Sequence, residues 1–83
     1  MRFFVYLLEC RDRSYYCGIA TDLEKRLKKH NSGKGAKYTR SRLPVKLVFS
    51  EKAGSKSLAL KREARIKKLS RKQKTALIES FNY

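Results

Sequence analysis

A chain of 83 residues has room for one small domain, which buries only ~60% of its unfolded surface and depends on good packing. Its 22 Lys and Arg against 7 Asp and Glu give a formal charge of +15, which repels itself on a compact body. A polyanion relieves that repulsion, so nucleic acid is the first partner to consider and an anionic membrane surface the second.

Phe3 to Cys10 is aromatic and aliphatic over the length of a strand and lacks helix caps, so it reads as a buried strand. It carries Glu9 and is too short for a secretory signal or a membrane span. Arg11 to Ser14 is a polar turn and Tyr15 to Ala20 a second strand, which together predict a β-hairpin. A three-residue loop, Asp12 to Ser14, pairs Cys10 with Tyr16, puts Tyr6 and Tyr16 on one face and sends Cys10 and Cys17 to opposite faces. A loop one residue shorter or longer separates the two tyrosines, because a one-residue slip flips every side chain. Two cysteines are too few for a disulfide framework and lack metal-ligand spacing with the single histidine, so both read as small hydrophobes in a reduced, cytoplasmic protein.

Thr21-Asp22-Leu23-Glu24 predicts a capping box. The helix that follows runs to about Ser32 and stops at Gly33. On it Leu23, Arg26, Leu27 and His30 recur at i, i+3, i+4 and i+7, which directs an arginine and the histidine inward. Residues 33–44 form a glycine-containing loop whose Lys34, Lys37, Tyr38, Arg40 and Arg42 suit phosphate contacts with occasional base stacking. Val45 to Ser50 alternates as a third strand after Pro44, and Lys52 to Ser57 reads as a loop. Leu58 to about Leu69 is a helix capped by Ser55 or Ser57, with Ala59, Glu63 and Ile66 on one face. Ser70-Arg71-Lys72-Gln73 starts a last helix bearing Ala76, Leu77, Ile78 and Phe81. The order β-β-α-β-α-α and the absence of a linker predict a single α+β domain, a three-stranded sheet with about three helices packed on it. The domain is expected over residues 1–77, with 78–83 as the end of the last helix.

Charge is clustered. No acid occurs between Glu24 and Glu51, and between Glu51 and Glu79 the sole acid is Glu63, with eight cations around it from Lys61 to Lys74. Each candidate taken singly has a structural explanation: Tyr6 and Tyr16 as sheet aromatics, Arg26 as a snorkelling side chain, His30 as a cation at a helix C-terminus, Glu63 as the i,i+4 partner of Lys67. Together they meet the needs of phosphodiester hydrolysis. That reaction requires a water, a group to take its proton, and positive charge where the phosphate becomes more negative. A hard divalent cation enters such a site on one carboxylate, with waters and phosphate oxygens completing its shell.

The motif Val5-Tyr6, ten residues ahead of Tyr16-Cys17-Gly18, is followed by Arg26 and His30 on the next helix and Glu63 on the one after the third strand. This pattern resembles the GIY-YIG nuclease domain. The strings TDLEKRLKKHNSGKGAKYT and IKKLSRKQKTALI are especially similar to its small stand-alone bacterial members. The resemblance covers roughly residues 1–77 and implies an antiparallel three-stranded sheet and a metal-dependent DNA endonuclease or nickase with one Mg2+ or Mn2+ per site. By position it implies Tyr6 and Tyr16 as the paired tyrosines, with Tyr6 activating water. Arg26 would stabilise the phosphate, His30 would assist, Glu63 would bind the metal, and Gly18 would permit close backbone approach. The chain departs from the family's pattern at Phe4, Val5 and Cys17, and at Arg13, where relatives often carry glycine. An Asn that many relatives use in the helix after the metal-binding Glu is not found here: the sole later Asn is Asn82, nineteen residues beyond Glu63 and almost at the terminus. With no appended specificity domain, recognition of DNA structure or single strands, or a protein partner, is expected, and RNA is a further possible substrate. The alternative is a non-catalytic nucleic-acid-binding module of the same fold, serving DNA repair or RNA and ribosomes.

Overall fold

Strand β1 (Phe3–Glu9) is the centre of a three-stranded antiparallel sheet in the computed structural model, which describes residues 2–81. It pairs with β2 (Tyr15–Ala20) on one side and with β3 (Lys46–Ala53) on the other. The hairpin register differs from the expected one. Tyr6 lies opposite Gly18 and Leu8 opposite Tyr16, because the Cys10 N–H donates to the Ser14 carbonyl at 2.8 Å and the Arg13 N–H to the Cys10 carbonyl at 2.9 Å. The loop is therefore Arg11-Asp12-Arg13, with Arg13 in the left-handed region at φ 71° where glycine is usual. Such a conformation costs on the order of 1–3 kcal/mol. Asp12 offsets it by accepting from the Ser14 N–H at 3.0 Å, from the Ser14 hydroxyl and from Arg42 Nε at 3.0 Å. The loop has the expected three residues but starts one residue earlier, which shifts the pairing by two, and a shift of two preserves the faces. Tyr6 and Tyr16 share one, while Cys10 and Cys17 are buried on opposite ones.

Helix α1 (Leu23–Asn31) is capped by Asp22, whose carboxylate accepts from the Lys25 N–H at 3.1 Å. The expected Thr21–Glu24 box does not form, since the adjacent Asp22 takes the capping position one residue on. The other end closes as expected at Gly33, φ 81°, whose N–H reaches the His30 carbonyl while that of Lys34 reaches Lys29. Within the stretch expected to be loop, a short helix α2 (Lys37–Arg40) turns the chain back over α1. Strand β3 runs three residues past its expected end, because Phe3, Phe4 and Val5 find their partners in Ala53, Lys52 and Glu51. Helix α3 (Lys56–Lys67) then starts after Ser55, which caps the Leu58 N–H at 3.1 Å, and not at Leu58. Ser70 and Gln73 bond reciprocally to open α4 (Arg71–Phe81), as the capping box predicts.

The two sheet faces have different contents. One buries Val5, Leu7, Cys17 and Phe49 against Ala59 and Ile66 of α3 and Ile78 of α4. The other buries Tyr6, Leu8, Cys10, Ala20 and Val45 with Leu23 and Leu27 of α1 against them. Asn31 fastens this second layer by donating to the Val45 carbonyl at 2.9 Å and accepting from its N–H at 2.8 Å. Among the described residues no helix is long and apolar enough to cross a membrane. Asn82 lies outside the described residues.

Candidate active site

Strand alternation puts Tyr6 on the α1 face, and the α1 stripe puts His30 above it. The Tyr6 hydroxyl lies 3.1 Å from His30 Nε2, and both residues are almost fully buried, at 2% and 1% exposure. His30 Nδ1 lies 2.9 Å from the hydroxyl of Thr39, which is wholly buried. That hydroxyl donates to the Ala36 carbonyl at 2.9 Å, and a carbonyl can only accept. Thr39 therefore accepts from an Nδ1–H, and the neutral ring presents a bare Nε2 to the Tyr6 O–H. The direction of the whole chain, Tyr6 to His30 to Thr39 to Ala36, follows from its last acceptor.

Two glycines make room for this line. A Cβ on Gly18 would stand 2.6 Å from the Tyr6 hydroxyl oxygen, so the ring crosses the neighbouring strand only where no side chain exists. A Cβ on Gly35 would stand 2.8 Å from the His30 Cα and collide with the imidazole, so the loop after α1 closes over the histidine on the same terms. Burial raises the Tyr6 hydroxyl pKa above the ordinary phenol value, and the neighbouring Tyr16 adds to the rise. Burial also lowers the His30 pKa, helped by the charges of Arg26 and Lys29. At neutral pH the pair is thus a phenol and a neutral imidazole. The neighbouring Arg26 charge does not make Tyr6 a phenolate, because desolvation outweighs it at that site.

Tyr16 joins the group from β2. Its ring centroid is 5.3 Å from that of His30 and 6.5 Å from that of Tyr6, and on its outer side it stacks with Tyr38 at 6.1 Å. Arg26 is exposed rather than inward: it sits at the edge of the apolar stripe, where a long side chain reaches water, and its charge is felt at Tyr6 and His30. Glu63 stands on α3, largely covered, with Lys67 Nζ 3.5 Å from its carboxylate. Its charge acts on Cys17, whose thiol burial and Glu63 together push up to about 11, and more weakly on Tyr6. Tyr6, Tyr16 and His30 are therefore in contact, while Arg26 and Glu63 flank them through charge. No group of three or more His, Cys, Asp or Glu comes together among the described residues.

The basic loop is not uniformly free. Lys34, Lys37 and Arg40 are exposed, and Tyr38 is 39% exposed. Arg42 is committed to the fold: its guanidinium packs on the Tyr38 ring at 3.9 Å, donates to the Tyr38 carbonyl at 2.7 Å and pairs with Asp12. Thr39, Gly35 and Asn31 were not legible as parts of this site in the sequence. A threonine followed by basic residues in a non-periodic loop gives no signal of burial, and the visible hint was the second glycine so close after Gly33.

The model of the GIY-YIG catalytic domain matches residues 2–76. The chain belongs to the GIY-YIG family. It is 58% identical over 77 residues to a UPF0213 protein of Syntrophus aciditrophicus, covering 92% of this chain and 88% of that one. It is 56% identical over 71 residues to a UPF0213 protein of Streptococcus pneumoniae, covering 86% and 72%. A solution NMR structure of a protein from E. faecalis superposes with a TM-score of 0.66 at 45% identity, over 99% of this chain and 88% of that one. Tyr6 and Tyr16, expected as the paired tyrosines, share one sheet face with altered residues at Phe4, Val5 and Cys17 around them.

Proposed function

We propose that this GIY-YIG domain is a metal-dependent endonuclease or nickase acting on DNA. The observation that carries the reading is the buried Tyr6–His30–Thr39 line, directed by its hydrogen bonds toward a bare imidazole nitrogen, beneath a surface whose sequence has no acid from Lys25 to Ser50. A water that gives its proton to the Tyr6 oxygen is activated as Tyr6 passes its own proton to His30 Nε2. Its oxygen then bonds to phosphorus while the bond to the leaving oxygen breaks. Thr39 keeps the other ring nitrogen protonated throughout, and the nearby Arg26 charge both stabilises the phosphate and speeds return of the proton from His30. Tyr6 is shielded from bulk water, so the half-buried Tyr16 meets the substrate first.

The donor set fits a hard cation that takes one protein carboxylate, Glu63, with waters and phosphate oxygens as its other ligands, and does not fit a protein cage of the zinc type. Mg2+ or Mn2+ bound there supplies positive charge to the phosphate. A second reading, a nucleic-acid-binding module without turnover, is favoured by the raised Tyr6 pKa and its burial. Cleavage assays with magnesium across duplex, single-stranded, flap and branched DNA and RNA decide between them. The enzyme reading expects cleavage that Glu63→Gln abolishes while binding is kept; the module reading expects salt-sensitive binding and no magnesium-dependent cleavage in either protein.

A further inference from the structure

Strand β2 is an edge strand of the sheet, and Tyr15 and Tyr16 leave it toward opposite faces. Tyr38 of α2 approaches this edge from one side, and Lys67 of α3 and Lys74 of α4 approach it from the other. With Cys17 they line a cleft of about 200 Å3. Its walls carry three phenol rings and its rim two ammonium groups. The rings are held before anything binds: Tyr38 is stacked with Tyr16 and packed by Arg42, while Tyr15 lies under the Arg71 guanidinium at 4.7 Å and bonds to Thr75 at 3.3 Å. Prearranged aromatic walls lower the ordering cost of binding a flat ligand.

We propose that this cleft is a binding site for one unpaired nucleobase, with Lys67 and Lys74 holding the flanking phosphates. A base inside a duplex has both faces covered and cannot present them to a ring, whereas an unpaired base of any identity can stack. The inference rests on the nuclease reading for its meaning, since Lys67 is also the partner of Glu63 at 3.5 Å. A base seated in the cleft therefore sets its strand beside the phosphate that Glu63 would address. The substrate class that follows is DNA with a single-stranded stretch, and the preference is for an accessible base rather than a sequence.

The test is equilibrium binding of the full chain with chelator present, so that no cleavage occurs, using fluorescent single-stranded oligonucleotides and the same sequence as blunt duplex. An oligonucleotide carrying 2-aminopurine is expected to be quenched on binding, and Tyr38→Ala is expected to remove that quenching. The same variant should weaken single-strand binding roughly ten-fold and leave the duplex within about two-fold, with Tyr38→Phe close to the parent. Abasic substitution at one position of the strand should weaken the parent by a similar factor and Tyr38→Ala no further. Because Tyr38→Ala also removes the Arg42 packing, Lys67→Ala with Lys74→Ala gives an independent surface variant, expected to lower the salt slope by roughly 1.4. Abasic strands that bind as well as intact ones at every position overturn the cleft. So does a Tyr38→Ala protein that loses duplex and single strand equally, or an unchanged salt slope in the lysine variant. Positive binding results beside a parent protein that never cleaves leave the cleft standing and defeat the nuclease reading alone.

Discussion

The two faces of one sheet are built by opposite rules. On the α3–α4 side, Val5, Leu7, Phe49, Ile66 and Ile78 fill the interior with hydrocarbon and need no partner beyond contact. On the α1 side, a phenol, an imidazole and a hydroxyl are equally deeply buried, and each is acceptable there because the next one satisfies it. No buried side-chain polar atom is left without a partner among the described residues. The lesson is that burial depth does not separate core from site in so small a domain; what separates them is whether the buried group has a direction. The apolar face can relax around a lost methylene, while the polar one cannot lose a member without leaving an unpaired atom.

Substitutions break this comparison cleanly. Among the buried residues of the two faces, Tyr6→Phe is expected to have the largest effect on turnover, a loss of ~10²–10⁴ in cleavage rate. The protein should stay folded and lose ~1–3 kcal/mol for the unpaired Nε2, which single-turnover kinetics beside chemical denaturation will show. Ile66→Ala should do the reverse, costing ~2–5 kcal/mol of stability while the protein that remains folded cleaves at the parent rate. If Ile66→Ala damages turnover per folded molecule as much as Tyr6→Phe, the division of labour between the faces is wrong. Thr39→Val sits between them. It leaves the His30 Nδ1–H without an acceptor, at ~1–3 kcal/mol, and lets the ring adopt the other tautomer, so that both stability and cleavage fall. Thr39→Ser should restore both, because it keeps the hydroxyl that fixes the direction.

Much of the site was legible because its members lie on regular elements. Strand alternation related Tyr6 to Tyr16 in either of two registers differing by two residues, and the actual turn at Arg11-Asp12-Arg13 chose the one that places Gly18 opposite Tyr6. The helical stripe brought His30 inward, but a stripe has edges, and Arg26 lies on one. What could not be read was set by tertiary return of the chain. Thr39 is buried because α2 folds over α1, and Lys52 and Ala53 extend β3 because the far end of β1 needs partners. The helix start was misplaced by one residue where Thr21 and Asp22, two good caps, stand side by side.

The smallest effect is the most diagnostic of the polar face. The sequence has one histidine, so a stability change near pH 6 reports on His30. Its folded-state pKa lies below the ordinary value of 6.5 because burial and the Arg26 and Lys29 charges disfavour the imidazolium. The unfolded chain therefore binds more protons than the folded one in the window below 6.5, and unfolding free energy rises with pH there. His30's neutral form contributes its full stabilisation above pH 6.5 and loses it as pH falls toward the folded value. Thermal unfolding across pH 5–8 should show this slope in the parent protein and not in His30→Gln. Thr39→Val should alter it too, since loss of the Nδ1 acceptor changes how readily the ring charges. A slope of the opposite sign would mean that the ring gains a proton on folding, and the Tyr6 hydroxyl would then have no base to donate to.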